Sequence, residues 1–194
     1  MVFETDVRGE SDRMTTRESL RRLLQQQALQ FGEFTLASGQ KATFYLDCRR
    51  VTLDSQGALL IAQEMLERLQ ADWPDAVGGM AIGADPITAA VITVAAQQGR
   101  SLKGFIVRKE TKQHGLARQV EGPVVPGDRC VILEDVVTTG GSSLKAIERV
   151  REFGLEVQGV LAIVDRLAGG RETFEQAGLA FDALFTINDL LPAG

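Results

Sequence analysis

Apolar positions in this chain first follow a helical period and then alternate between short apolar runs and helical stretches. Starting at Thr15, the residues Leu20, Leu23, Leu24, Ala28 and Phe31 recur at helical spacing. Thr15 and Glu18 stand as a capping box at its start. A helix is therefore expected from Thr15 to near Gly32, and residues 1–13 are expected to fray. Residues 33–36 and 43–46 read as two short strands around a Ser38-Gly39 turn, a small hairpin outside the main sheet. Helix and hairpin together form a hood spanning about 14–50.

Beyond the hood the pattern alternates. Asp54 or Ser55 can cap a helix running through Leu59, Leu60, Met65, Leu66 and Leu69, and 77–82 follows as a buried strand. Asp85 then reads as the cap of the next helix, with Pro86 at its first position. Strands are expected at 105–107, 130–133, 157–164 and 183–187, and helices at 142–153 and 172–177. The polar stretch 109–121 is too long for an ordinary connection and reads as a lid or a disordered loop. Alternation of this kind implies a doubly wound α/β fold: a mostly parallel sheet with helices on both faces and ligands at the carboxyl ends of the strands.

Composition narrows the classes. With 194 residues and 44% hydrophobic content, the chain suits one core and a single domain over 1–194. A net charge of −5 and a pI near 5.0 argue against a nucleic-acid or membrane-surface binder, since both partners are held by clustered positive charge. Cys48 and Cys130 lack paired-cysteine spacing, so two reduced thiols are expected rather than a zinc site or a disulfide. The N-terminal residues carry no apolar leader and no long apolar run follows, which suggests a soluble cytoplasmic protein.

The clearest chemistry lies in 131–143. A buried apolar run leads to Glu134 and Asp135, then to Val136, Val137, Thr138, Thr139, Gly140, Gly141 and Ser142, where a helix opens. Backbone N–H groups of such a turn, with the helix N-terminus, can cradle a phosphate dianion. The hydroxyls of Thr138, Thr139 and Ser142 add donors, while the two acids can accept from sugar hydroxyls. A plain strand-to-helix turn would explain Gly140 and Ser142 but not two consecutive acids after an apolar run. Phosphate beside sugar is the inferred ligand.

A second signal is the string from Arg108 and Lys109 through Lys112 to His114 and Gly115. Between Lys103 and Arg118 five bases face one acid, and the chain's only histidine sits among them. Such a patch suits a pyrophosphate; a solvated basic loop is the bland alternative. The aromatic positions Phe34, Phe44 and Tyr45 could cover a flat heterocycle or simply pack across the hairpin. Asp165-Arg166 follows a strand and could be a surface pair or present a guanidinium to a carboxylate.

Taken in this order, the segments resemble the type I phosphoribosyltransferases, and among them the orotate phosphoribosyltransferases. Glu134-Asp135 matches the acidic pair of the phosphoribosyl pyrophosphate motif, and Thr138 to Ser142 its 5-phosphate loop. The resemblance implies that Arg108, Lys109, Lys112 and His114 bind pyrophosphate on a flexible loop that reaches into the neighbouring site of a homodimer. It also implies that Phe44, Tyr45, Thr138 and Arg166 receive orotate and that Mg²⁺ is held mainly by substrate. Lys109, Lys112, His114, Glu134 and Asp135 would be catalytic. Two positions depart from the family's pattern, where Lys often stands at the Ala37 position and a base in the loop around Gly83 to Ile87. Arg49 and Arg50 are either an exposed pair or the substitute for that charge. The implied reaction joins orotate to the ribose 5-phosphate unit, in pyrimidine synthesis. A phosphoribosyltransferase for another base, or a non-catalytic sensor of phosphoribosyl pyrophosphate, would share the 134–142 cradle. The first would lack the 108–115 string and the second normally adds a DNA-binding domain.

Overall fold

The computed structural model describes residues 14–35, 41–109 and 119–192. Helix α1 (Thr16–Leu23) begins where the pattern placed it, with Thr15 Oγ1 accepting from the Glu18 N–H at 3.1 Å. The box is only half formed, because the Glu18 carboxylate turns to Arg21 and Arg22 instead. The helix also stops short of Gly32. A π-helical turn over Leu24–Ala28 closes it, and the chain enters strand β1 (Leu29–Thr35), antiparallel to β2 (Lys41–Leu46). Pairing of Leu29 with Leu46 and Phe31 with Phe44 outweighs the helical repeat, and Phe31 ends up 60% exposed rather than on a buried helix face. The Ser38-Gly39 turn lies outside the described residues, as does Ala37.

A short helix α2 (Arg49–Thr52), absent from the sequence reading, links the hood to α3 (Ser55–Leu69). Asp54 caps α3 by accepting from the Gly57 N–H at 2.9 Å. Then follow β3 (Ala76–Met80), α4 (Ala84–Gln97), β4 (Lys103–Val107), β5 (Val120–Glu121), β6 (Arg129–Val137), α5 (Gly141–Phe153), β7 (Glu156–Asp165), α6 (Gly170–Gln176), β8 (Ala180–Thr186) and α7 (Ile187–Leu190). The main sheet has the order β5-β4-β3-β6-β7-β8, parallel except for the edge strand β5. Buried apolar residues cluster on both faces. Helices α1 to α4 cover one face, while Ala146, Ile147 and Val150 of α5 and Phe174 of α6 cover the other. The doubly wound expectation holds, and among the described residues no helix is long and apolar enough to cross a membrane. Both cysteines are free thiols, fully buried.

Three boundaries differ from the sequence reading in ways that shape the site. Strand β3 ends at Met80, two residues early; its last ladder bond to β4 runs from the Ala81 N–H to the Val107 carbonyl, and the Ala81–Ile82 peptide that follows is cis. Ile82, expected in a buried strand, is 73% exposed. Helix α4 starts at Ala84 with Gly83 in the cap position, so Asp85 sits inside the first turn and is not the cap. Strand β6 runs on through Val137 instead of stopping at Leu133, held by pairing with β7 as far as Val137 and Asp165. At the end of the 109–121 stretch, Val120 and Glu121 form a strand paired with Val107 and Ile106.

Candidate active site

The chain builds β4 on one side of β3 and then returns to lay β6 on the other. The sheet's winding therefore reverses between β3 and β6, which is where open α/β sheets hold their ligands. Pairing of β3 with β6 ends at Gly78 and Ile132, after which the two strands are no longer bonded to each other. The acids Glu134 and Asp135 stand on the stretch of β6 that pairs with β7 but no longer with β3, beside that opening. A cleft of about 340 Å³ lies there, lined by Tyr45 to Arg49, Met80 to Gly83, Lys109, Glu134, Asp135, Val136 and Ser142.

Side chains alternate across a strand, so the two acids point to opposite faces of the sheet. Glu134 follows Ile132 onto the α5 face. There its Oε2 accepts from Ser142 Oγ at 2.9 Å and from Ser143 Oγ at 2.8 Å. Burial pushes its carboxyl up to about 7, with Asp135 adding to the rise and the two serine hydroxyls opposing it. Asp135 follows Leu133 onto the hood face, close to Gly83, where a Cβ would stand 3.0 Å from its Oδ1. Its charge, with that of Asp47, adds to the effect of burial in raising the Cys48 thiol well above the ordinary range. Asp47 is itself held low by the Arg49 guanidinium at 2.7 Å.

The turn from Thr138 to Gly140 lifts two hydroxyls into solvent and then enters α5. Gly140 adopts φ +81° as the cap, and a Cβ there would meet the Phe174 ring at 3.0 Å. Underneath, Gly170 at the start of α6 is packed so closely that a Cβ would lie 2.3 Å from Val137 Cγ1 and 3.0 Å from the Thr138 carbonyl. Glycine is required at both positions for the turn to keep its shape. The Val137 side chain is buried, so this residue offers only backbone, and its carbonyl accepts from the Arg166 N–H at 2.9 Å.

Arg166 reaches the hood. Its guanidinium carbon lies 5.5 Å from the centre of the Phe44 ring, while Tyr45, on the other face of β2, packs on Phe34 at 5.8 Å. Asp165 is buried, which rules out the surface-pair alternative. Its Oδ1 accepts from the Leu167 N–H at 2.8 Å and fixes the turn, with Leu167 at φ +55°, that aims Arg166.

The basic segment divides. Lys109 lines the cleft, whereas the Arg108 guanidinium is paired with Glu121 at 2.7 Å and lies away from it. Lys112 and His114 lie outside the described residues. Arg49 lines the cleft and Arg50 does not. Sequence reading did not find Asp47, Cys48 or Met80 to Ile82. The end of β3 was nonetheless marked by the expectation that ligands follow strands.

Residues 54–176 match the family model described as the phosphoribosyl transferase domain. An orotate phosphoribosyltransferase of Rhodopirellula baltica is 61% identical over 173 residues, covering 86% of this chain and 90% of that one. The chain belongs to the orotate phosphoribosyltransferase family. Among solved structures, Mycobacterium tuberculosis orotate phosphoribosyltransferase in complex with Fe(III) dicitrate superposes with a TM-score of 0.81 at 38% identity, covering 91% of this chain and 99% of that one. The same enzyme in complex with 5-phospho-alpha-D-ribosyl 1-diphosphate superposes at 0.77 with 36% identity and the same coverage.

Proposed function

We propose that this chain transfers the 5-phosphoribosyl group of phosphoribosyl pyrophosphate to orotate, giving orotidine 5′-monophosphate and pyrophosphate in the cytoplasm. One observation carries the reading: Ser142 and Ser143, on the first turn of the helix behind the phosphate turn, hold the carboxylate of Glu134 at 2.9 and 2.8 Å. Phosphate cradle and sugar-facing acid are thereby one rigid unit.

In this reaction the bond from the anomeric carbon to the pyrophosphate oxygen breaks and a bond to the orotate ring nitrogen forms. Positive charge develops on the ribose and negative charge on the leaving group, so positioning and electrostatics do most of the work. The backbone of Val136 to Ser142 and the hydroxyls of Thr138 and Thr139 bind the 5-phosphate, while the Ser142 hydroxyl is committed to Glu134. Asp135 faces the developing cation from the cleft wall, and Glu134, held by the two serines, joins it in orienting the ribose hydroxyls. Lys109 meets the diphosphate, joined through the family resemblance by Arg108, Lys112 and His114. Phe44 and Tyr45 flank the base with Thr138, and Arg166 pairs with the orotate carboxylate. Ionised orotate is electron-rich at the reacting nitrogen, so no strong protein base is needed.

Among the described residues no three His, Cys, Asp or Glu side chains converge on a metal position. Asp135 lines the cleft and offers a hard carboxylate oxygen that would help hold the Mg²⁺ the family resemblance implies; when bound, the ion would neutralise leaving-group charge.

The test is loss of orotate absorbance with phosphoribosyl pyrophosphate and Mg²⁺. Folded protein that leaves orotate untouched while consuming another base would overturn the assignment. The same reading makes the chain a homodimer whose 109–121 segment enters the neighbouring site. Mixing Lys112→Ala and Glu134→Gln subunits should then restore activity that neither variant has alone, and no recovery would place the segment in its own site.

A further inference from the structure

A second cavity of about 350 Å³ adjoins the cleft, sharing Met80, Lys109 and Ser142 with it and completed by Lys145 and Arg149. Ser142, Lys145 and Arg149 recur at three- and four-residue spacing on α5, so one helix face that begins at the phosphate turn forms a wall of this hollow. Arg149 is fixed in place. Its guanidinium donates to the carbonyl of Arg108 and, at 3.0 Å, to that of Lys109, which ties the end of β4 to α5. None of the lining residues is acidic, and among the described residues neither Lys109 nor Lys145 has an ion-pair partner.

Three cations around one hollow, in a chain of net charge −5, repel one another unless an anion joins them. The two lysines act as movable point charges, while the guanidinium still has donors beyond those given to the carbonyls. An anion with several charged oxygens at separate positions matches that arrangement better than a single carboxylate. We infer that this cavity is a second anion site, binding a phosphate or polyphosphate group outside the position of transfer. The inference rests on the proposed reading of the neighbouring cleft. Two sources share the chemistry: the diphosphate on its way out, and a free polyphosphate acting from solution.

The test compares unaltered chain with Lys145→Ala and Lys145→Glu, whose thermal unfolding checks that they fold. Calorimetric titration with pyrophosphate and with tripolyphosphate is run without the other substrates at low salt, alongside steady-state kinetics. Removing one of three cations should weaken anion binding about tenfold, with the charge reversal weakening it further, while KM for phosphoribosyl pyrophosphate stays within about twofold. Weakened pyrophosphate binding together with weakened product inhibition by pyrophosphate identifies the leaving group as occupant. Weakened tripolyphosphate binding with product inhibition unchanged identifies a free polyphosphate. Unchanged binding of both anions in both variants overturns the site. Transfer by the unaltered chain is measured separately, so an inactive enzyme would refute the proposed function without deciding the anion comparison.

Discussion

Ser143 Oγ lies 2.8 Å from Glu134 Oε2, a bond that ties the first turn of α5 back to the strand that leads into it. The acid is 6% exposed and its carboxyl is pushed up to about 7, so near neutral pH the folded chain holds a proton that an unfolded chain releases above about 4.5. A proton bound more tightly in the folded state means that stability falls as pH rises from about 4.5 to about 7, then levels off.

Glu134→Gln removes that titration while keeping the shape. The variant should match the parent at pH 4 and exceed it by about 1–3 kcal/mol at pH 8, with transfer greatly reduced. Thermal unfolding between pH 4 and 9 reads this directly. A parent stability that climbs through that window would contradict the buried, neutral acid.

Gly170→Ala places a methyl against Val137 Cγ1 and the Thr138 carbonyl. Because the obstruction involves backbone, the phosphate turn has to shift. We expect a loss of about 1–3 kcal/mol and weaker binding of phosphoribosyl pyrophosphate, with orotate affinity less affected. Denaturant unfolding and separate KM values distinguish the two effects.

Arg166→Lys keeps the charge but loses the planar fork held over Phe44. The KM for orotate should rise on the order of tenfold, with a smaller change for phosphoribosyl pyrophosphate. Equal KM values for orotate in parent and variant would remove Arg166 from the base site.

Lys109→Ala takes a cation from the cleft wall. If the diphosphate leaves past it, turnover should fall on the order of 10²-fold while orotate binding changes little. Lys112→Ala should behave in the same way. Rapid-quench kinetics with both substrates saturating measures the chemical step.

Much of this was legible along the chain, though not uniformly. The acid pair, the hydroxyl and glycine turn and the opening helix form one continuous strand-turn-helix, and local rules placed them to within a few residues. The same rules misjudged Phe31, where cross-strand pairing with Phe44 overrode a helical repeat. They left Asp165-Arg166 open between a surface pair and a presented guanidinium, because two adjacent polar residues give no sign of which one turns inward. Arg108 read as part of a cationic patch, yet its partner Glu121 arrives only when β5 folds back onto β4.

By itself the sequence determined the alternation of strands and helices, the turn that can cradle phosphate, and the presence of two acids ahead of it. Those features follow from backbone periodicity and turn chemistry, which act over a few residues. Only the tertiary structure decided that β3 and β6 part beyond Ile132, that Met80 to Gly83 and Asp47 to Arg49 wall the opening, and that Arg166 meets Phe44. Strand order and helix packing set those distances, and they depend on the burial of both sheet faces at once rather than on any local stretch of chain.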